Sequence, residues 1–166
     1  MDENLEILKQ YLTFTVDKEN YALAVVHVRE VLEFQQVTRV PRMPGFMRGI
    51  INLRGKVVPV IDLKTKFDLG ETDTSRNASV IVTELMLGND QIIIGLLTDA
   101  VSEVLEIEDN EIEPPPCIGT AIETSFIKGI GKKDGHFFTI LSIEKVLTGN
   151  ELSELKSDES FSDVSQ

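Results

Sequence analysis

Apolar positions fall into short segments along this chain, few of them long enough for a helix of ordinary length. From Tyr11 to Val16, the residues Tyr11, Thr13 and Thr15 alternate with Leu12, Phe14 and Val16, the pattern of a half-buried strand. Asp17 to Asn20 reads as a turn, and Tyr21 to Ala24 returns as a second strand. From Ala24 the period changes. Ala24, Val25, Val28, Val31 and Leu32 recur at helical spacing, so a short amphipathic helix is predicted there, with His27, Arg29, Glu30 and Glu33 on its other faces. Val37 to Val40 is predicted as a brief strand ended by Pro41 and Pro44.

The clearest unit runs from Gly49 to Phe67. Gly49 to Leu53 and Lys56 to Leu63 are rich in Val, Ile and Leu and are separated only by Arg54-Gly55, which predicts a β-hairpin. Pro59 removes a ladder donor from the second strand and so predicts a bulge or a sheet edge. Asp62 suits the N-cap of a one- or two-turn helix through Phe67.

This unit occurs twice, and a duplication sets the architecture before any single residue is interpreted. FIKGIGKKDGHFFTILSIEKVL, from Phe126, lies 80 positions after FMRGIINLRGKVVPVIDLKTKF, pairing Phe46 with Phe126, Gly49 with Gly129 and Gly55 with Gly135. VREVLE at Val28 to Glu33 is echoed by VSEVLE at Val101 to Glu106, 73 positions on, and the second block fits helix or strand. The seven extra residues of the second copy are placed around Pro114-Pro115-Pro116, as a stiff extended loop rather than a ligand for another module. The second copy otherwise offers strands at Ser79 to Met86 and Gln91 to Leu97 around a Gly88-Asn89-Asp90 turn. A helix capped by Ser142 and stopped by Gly149 closes it.

These patterns divide the chain into a polar lead-in at 1–10, with one helical turn at Leu5 and Leu8, a duplicated region at 11–149, and an acidic, serine-rich tail at 150–166. The division between the copies is expected in the polar stretch Glu71 to Ala78, giving subdomains of 11–77 and 78–149. Two copies of about seventy residues, each with four or five short strands and one or two small helices, predict a mainly β pair of compact barrels. Neither is large enough to be comfortable alone, so they are expected to share a hydrophobic seam.

Composition changes this picture little. A chain of 166 residues with 42% hydrophobic and 27% charged residues is a globular protein, not a disordered one. The apolar runs are too short to cross a bilayer and the first residues are acidic where a signal peptide needs bases, so a cytoplasmic location is expected. Cys117 stands alone and cannot close an internal disulfide. A net charge of −12 repels nucleic acid. The charge is unevenly spread: Arg29 to Lys66 carries eight bases against three acids, while Asp99 to Glu113 carries seven acids and no base. Two solvated faces of opposite sign account for this, and so does a basic surface presented to an acidic partner.

Candidate chemistry is sparse. His27 and His136 have no Cys or carboxylate at ligand spacing, the acidic stretch lacks the order of a calcium loop, and no nucleophile and base can be paired. No catalytic, cofactor-binding or metal-binding residue is predicted, and an enzyme in the seam is the weaker class. The exception is Arg54. The second copy has Asp134-Gly135 at its hairpin turn, which a tight turn favours, whereas the first has Arg54, which offers no help in reaching a left-handed conformation. A local rule broken in one copy alone points to a contact, with Glu30 as a candidate partner; an ordinary surface arginine fits the same facts.

YLTFTVDKENYALAVVHVREVLE, QVTRVPRMPGFMRGIINLRGKVVPVIDLKTKF, IGLLTDAVSEVLEIE and FIKGIG together resemble the CheW-like domain family of chemotaxis coupling proteins, from about Tyr11 to Leu147. The NLRGxxxPVIDL block after PxFxxG is the most specific part. Length, with no kinase core or receiver domain, matches the stand-alone coupling protein better than the related domain of the kinase CheA or the coupling half of CheV. The resemblance implies two five-stranded SH3-like barrels packed across a hydrophobic seam, no catalysis and no cofactor. It implies two partners, the histidine kinase CheA and the cytoplasmic tips of methyl-accepting chemoreceptors, with neither nucleic acid binding nor membrane insertion. By position, the family's contact residues fall on Val28, Glu30, Val37, Gly49, Arg54 and Val104. The triple proline and the acidic tail lie outside the resemblance.

Overall fold

Runs of β-branched residues broken by two-residue turns favour hairpins. In the computed structural model, residues 9–35, 37–75, 77–115 and 126–146 are described, and they are mainly strand. In chain order these are β1 (Gln10–Val16), β2 (Glu19–Ala24), β3 (Val28–Glu33), β4 (Met47–Leu53), β5 (Lys56–Asp62), β6 (Ser79–Leu87), β7 (Asp90–Thr98), β8 (Ala100–Glu106), β9 (Ile112–Glu113), β10 (Ile127–Lys133) and β11 (His136–Leu141). One-turn helices follow both hairpins of the repeat, α1 (Leu63–Lys66) after β5 and α2 (Ile143–Val146) after β11. Asp62 caps α1 as expected, its Oδ1 accepting the Lys64 N–H at 3.1 Å. Ser142 precedes α2, its carbonyl accepting from Lys145 and Val146.

The strands form two sheets. One has the order β3-β6-β7-β5-β4 and the other β8-β1-β2-β11-β10-β9. The first is therefore a contiguous stretch, 28–98, and the second takes its first two strands from before that stretch and the rest from after it. The division expected between residues 77 and 78 falls inside the five-stranded sheet, between β5 and β6. The two copies have exchanged hairpins: β1–β2 pairs with β8 and β11 of the second copy, and β6–β7 pairs with β3 and β5 of the first. A 3-10 turn at Val25–His27 and the single residue Asp99 carry the chain from one sheet to the other.

Three apolar clusters follow from this exchange. Ile51, Val58, Val60, Val80, Val82 and Leu97 fill the five-stranded barrel, and Tyr11, Ala22, Ile107, Phe138 and Ile140 fill the other. The largest cluster is the seam, where Phe14, Leu23 and Leu141 meet Ile61, Leu63, Ile81, Ile94 and Leu96. Burial of each such side chain stabilises the fold by about 1.5–3 kcal/mol.

Several expectations are corrected. β1 is buried on both faces, because Leu12, Phe14 and Val16 point into the seam while Tyr11 points into its own barrel. Thr13 is tolerated inside because its hydroxyl donates to the Glu103 carbonyl at 2.8 Å and accepts the Glu103 N–H at 3.2 Å. The helix predicted from Ala24 to Glu33 is a 3-10 turn followed by strand β3. VREVLE also alternates, with Arg29, Val31 and Glu33 exposed, and pairing with β6 outweighs the weak helical period. Its echo VSEVLE, which fitted either state, is strand β8. The strand predicted at Val37 to Val40 is reduced to one bridge, Thr38 to Ile50.

Of the two expectations for Pro59, a bulge or a sheet edge, the edge fails because β5 lies between β4 and β7, while the β4–β5 register does shift beside it, between Met47 and Gly49. The ladder to β7 begins one residue later, at Val60, and Ile50 opposite Pro59 turns both backbone groups to Thr38 at 2.8 and 2.9 Å. No ladder bond is lost there. Of the seven extra residues of the second copy, two precede β9. Val37 packs over Gly49 as Ile112 packs over Gly129, so the offset has already risen from 73 to 75 before the prolines. The remaining five belong to the proline loop. Leu5, Leu8, Pro116, Cys117, Gly149 and the acidic tail lie outside the described residues.

Candidate interaction surface

A two-residue turn between twisted strands demands positive φ at both positions. Arg54 and Gly55 have φ of 51° and 87°, matching 51° and 80° at Asp134 and Gly135. Aspartate tolerates this region by bonding locally; arginine does not. Asn52 offsets part of the strain, its Oδ1 accepting the Gly55 N–H at 2.9 Å. The guanidinium then reaches across the barrel, and Nη2 donates to Glu30 Oε2 at 2.6 Å.

Glu30 lies on β3 and Arg54 at the end of β4, the two outer strands of the five-stranded sheet, so the ion pair bridges its open sides. Arg54 is 73% exposed and Glu30 25%. So exposed a pair contributes only about 0.2–1 kcal/mol. The other carboxylate oxygen, Glu30 Oε1, is buried and accepts no hydrogen bond among the described residues, which works against stability. The pair therefore does little for the fold. It holds a five-donor fork in fixed position at an exposed tip.

Gly49 stands on β4, five residues before Arg54, with φ of 146°. A Cβ there would collide with the Thr38 carbonyl and Val37 Cγ1. The absence of a side chain is what lets the Val37–Thr38 segment lie against β4, and this fixes half-buried Val37 near the hairpin. Val28 opens β3 and packs, half-buried, against the seam cluster. The structure thus brings Glu30, Val37, Gly49 and Arg54 onto one barrel, with Val28 at its junction with the other. Val104 is apart from them. It lies on β8 of the six-stranded sheet, opposite Leu12, and is 52% exposed.

Three features of this surface escaped the sequence reading. Val31 is exposed on β3, and the alignment of VREVLE with VSEVLE pairs it with Val104, the signal that marks it. Phe137, the counterpart of Val57, is 60% exposed with Lys132 Nζ 5.5 Å from its ring centre. Asp62 is more than a cap. Its Oδ2 accepts from Arg48 Nη1 at 3.2 Å and Thr72 N–H at 2.9 Å, and its Oδ1 from the Thr72 hydroxyl at 2.6 Å.

That network anchors α1, and Phe67 at its end stacks between Tyr21 and Phe126 at 5.3 and 5.0 Å. Phe14 continues the column beyond Tyr21. Burial raises the Tyr21 hydroxyl above its ordinary range, helped by the charges of Glu19 and Asp17. Lys64 Nζ lies 3.6 Å from Asp17 Oδ1, so α1 is tied to the other sheet by charge as well as by stacking.

The charge blocks are partly internal. Lys9 pairs with Glu108 at 2.9 Å, Lys133 with Glu111 at 3.4 Å and Lys132 with Glu113 at 3.5 Å, so three of the seven acids of the acidic stretch are paired. In the basic stretch, Arg29 meets Glu84 at 3.6 Å and Arg48 meets Asp62. Among the described residues no three His, Cys, Asp or Glu side chains converge as metal ligands, and no helix is long and apolar enough to cross a membrane.

Known proteins share this fold and sequence pattern. The chemotaxis protein CheW of Klebsiella aerogenes is 33% identical over 145 residues, covering 87% of this chain and 85% of that protein. CheW of Helicobacter pylori is 32% identical over 146 residues, covering 88% and 85%. The crystal structure of the scaffolding protein TtCheW from Thermoanaerobacter tengcongensis superposes with a TM-score of 0.76 at 38% identity, covering 86% of this chain and 94% of that one. The family described as the CheW-like domain matches residues 10–151, and the chain belongs to it.

Proposed function

We propose that this protein is a non-enzymatic adaptor of bacterial chemotaxis that couples the cytoplasmic tips of methyl-accepting chemoreceptors to the histidine kinase CheA. Membership of the CheW-like family, whose relatives are named chemotaxis proteins and, in one solved structure, a scaffolding protein, supports the adaptor role. The observation that carries the coupling reading is Arg54, displayed at a strained turn and held by Glu30 in a pair too exposed to matter for folding. Val28, Glu30, Val37, Gly49, Arg54 and Val104 are its contact positions.

An adaptor acts by differential binding. It contacts receptor and kinase together and prefers one signalling state, since equal affinity for both would shift nothing. The protein reaches membrane-bound receptor arrays through these partners. Co-sedimentation with receptor-bearing membranes, with and without CheA, tests the reading. The wild type should carry CheA into the pellet and Arg54→Glu should not, with its melt within about 1 kcal/mol of wild type. Wild-type protein that leaves CheA in the supernatant would refute the coupling.

A further inference from the structure

The left-handed backbone positions sort by chemistry. Among the described residues, six non-glycine positions have positive φ: Asp17, Lys18, Arg42, Arg54, Asp68 and Asp134. The aspartates tolerate it, and Lys18 and Arg54 lie in two-residue hairpin turns that impose it. Arg42, at 64°, lies in neither class. It is the second corner of a turn begun by Pro41, where glycine or asparagine is the ordinary choice. Strain of this kind persists where the surroundings enforce it.

The surroundings do so here. Met43 and Phe46 pack on the seam cluster, the Met47 N–H donates to the Pro44 carbonyl at 2.9 Å, and the Thr38–Ile50 bridge pins the loop's other end. Lys66 Nζ sits 4.8 Å from the Phe46 ring centre, adding a cation from α1 beside the same loop. Arg39 and Arg42 are both exposed, and neither meets a carboxylate among the described residues, unlike Arg29, Arg48 and Arg54. A chain of net charge −12 thus holds, on a loop at the rim of its seam, two guanidiniums that meet no carboxylate among the described residues.

We propose that the loop from Arg39 to Phe46 is an electrostatic docking face for a carboxylate-rich segment of a partner protein. The inference rests on the adaptor reading and adds the chemistry of one contact. A discrete acidic segment fits better than a membrane or a nucleic acid, because an extended polyanion would also face the repulsion of the remaining surface. Planar guanidiniums suit carboxylates through paired, parallel hydrogen bonds.

The test is co-sedimentation of the full chain with receptor-bearing membranes and CheA over a series of salt concentrations. Binding by the wild type should weaken as salt rises. The double variant Arg39→Glu/Arg42→Glu should bind at least about tenfold more weakly at low salt and lose most of the salt dependence, with an unchanged melt. Arg42→Gly, which suits the turn, should keep the fold and still lose part of the binding. Wild-type binding with both variants indistinguishable from it would overturn the docking face and leave the adaptor reading standing. Wild type that fails to sediment at any salt overturns both. Equal binding to anionic phospholipid vesicles without receptor, abolished in the double variant, would replace the protein partner with a membrane and overturn the proposal.

Discussion

Asp62→Ala should be among the most damaging single polar substitutions in the described part of the chain, for reasons the geometry makes quantitative. The carboxylate is 1% exposed and accepts from four donors: the Lys64 N–H, the Thr72 N–H and hydroxyl, and Arg48. Loss of the cap alone costs about 0.5–2 kcal/mol. Thr72 is itself buried, so its stranded donors cost about 1–3 kcal/mol more. Arg48, 17% exposed, would be left beside the seam without its anion, and breaking one partner of a buried pair costs about 3–5 kcal/mol. These terms overlap because the same groups relax together, so the net loss should be about 3–5 kcal/mol. At about 2–4 °C per kcal/mol for a chain of this length, the melt should fall by about 6–20 °C. Asp62→Asn keeps one acceptor and should fall between. Thermal unfolding followed by circular dichroism measures all three proteins. If Asp62→Ala melted within about 2 °C of wild type, the carboxylate would not be the lock between α1, β4 and the Thr72 segment.

The same geometry sets other outcomes. Gly49→Ala should lose about 2–4 kcal/mol in urea unfolding, since its Cβ meets backbone and its φ is 146°, whereas Gly129→Ala, with Glu113 O at 2.7 Å and no positive φ, should lose less. Fragments 1–77 and 78–166 should each lack a cooperative melt and regain one on mixing, because the cut passes through the five-stranded sheet. The clasp between Lys9 and Glu108 should respond to pH at both extremes. Its hydrogen bond to Lys9 holds Glu108 below its ordinary 4.5, so its contribution is present above that value and lost as pH falls through the lower folded one. The bond to Glu108 raises Lys9 above 10.5, so its contribution is complete below that value and lost as pH rises past the folded one. Amide exchange at Ile107, whose N–H donates to the Lys9 carbonyl at 2.9 Å, reports both after correction for intrinsic rates, and unchanged protection at both extremes would refute the clasp.

The legible parts of the fold were those governed by nearest neighbours. The hairpins at Arg54-Gly55 and Asp134-Gly135 and the cap at Asp62 depend on a few adjacent residues, and each formed where the local chemistry placed it. β3 was misread because five apolar residues happened to recur at helical spacing while the deciding contacts, with Thr83 to Ser79 on β6, lie some fifty residues away. The double burial of β1 was hidden for the same reason: whether Tyr11 faces solvent depends on β8 and β11, which no local pattern brings together with it. Of the candidate surface, Arg54 and Glu30 could be paired through the broken symmetry of the turns. The Asp62 network could not, because Thr72 gives no signal until the chain returns to α1.

Hairpin exchange and unequal turns together bear on what such a duplication is suited for. Two unexchanged copies could each fold and drift apart, whereas here each barrel is incomplete without strands of the other copy, and the seam cluster draws on both. The relative placement of the two barrels is thereby built into strand pairing rather than left to a linker. On that fixed frame the repeat positions have diverged in charge: Glu30 faces Arg54 in one barrel, while Glu103 and Asp134 stand at the equivalent places in the other. Like charges there cannot form the same bridge, so one barrel presents an arginine held by a carboxylate and the other presents acids with Val104 and Phe137 exposed among them. A symmetric duplication would offer two identical faces and so grip two copies of one partner. Divergence at these few positions, on a backbone whose strand pairing fixes one barrel against the other, leaves a single small chain with two faces that differ in charge and in exposed apolar side chains.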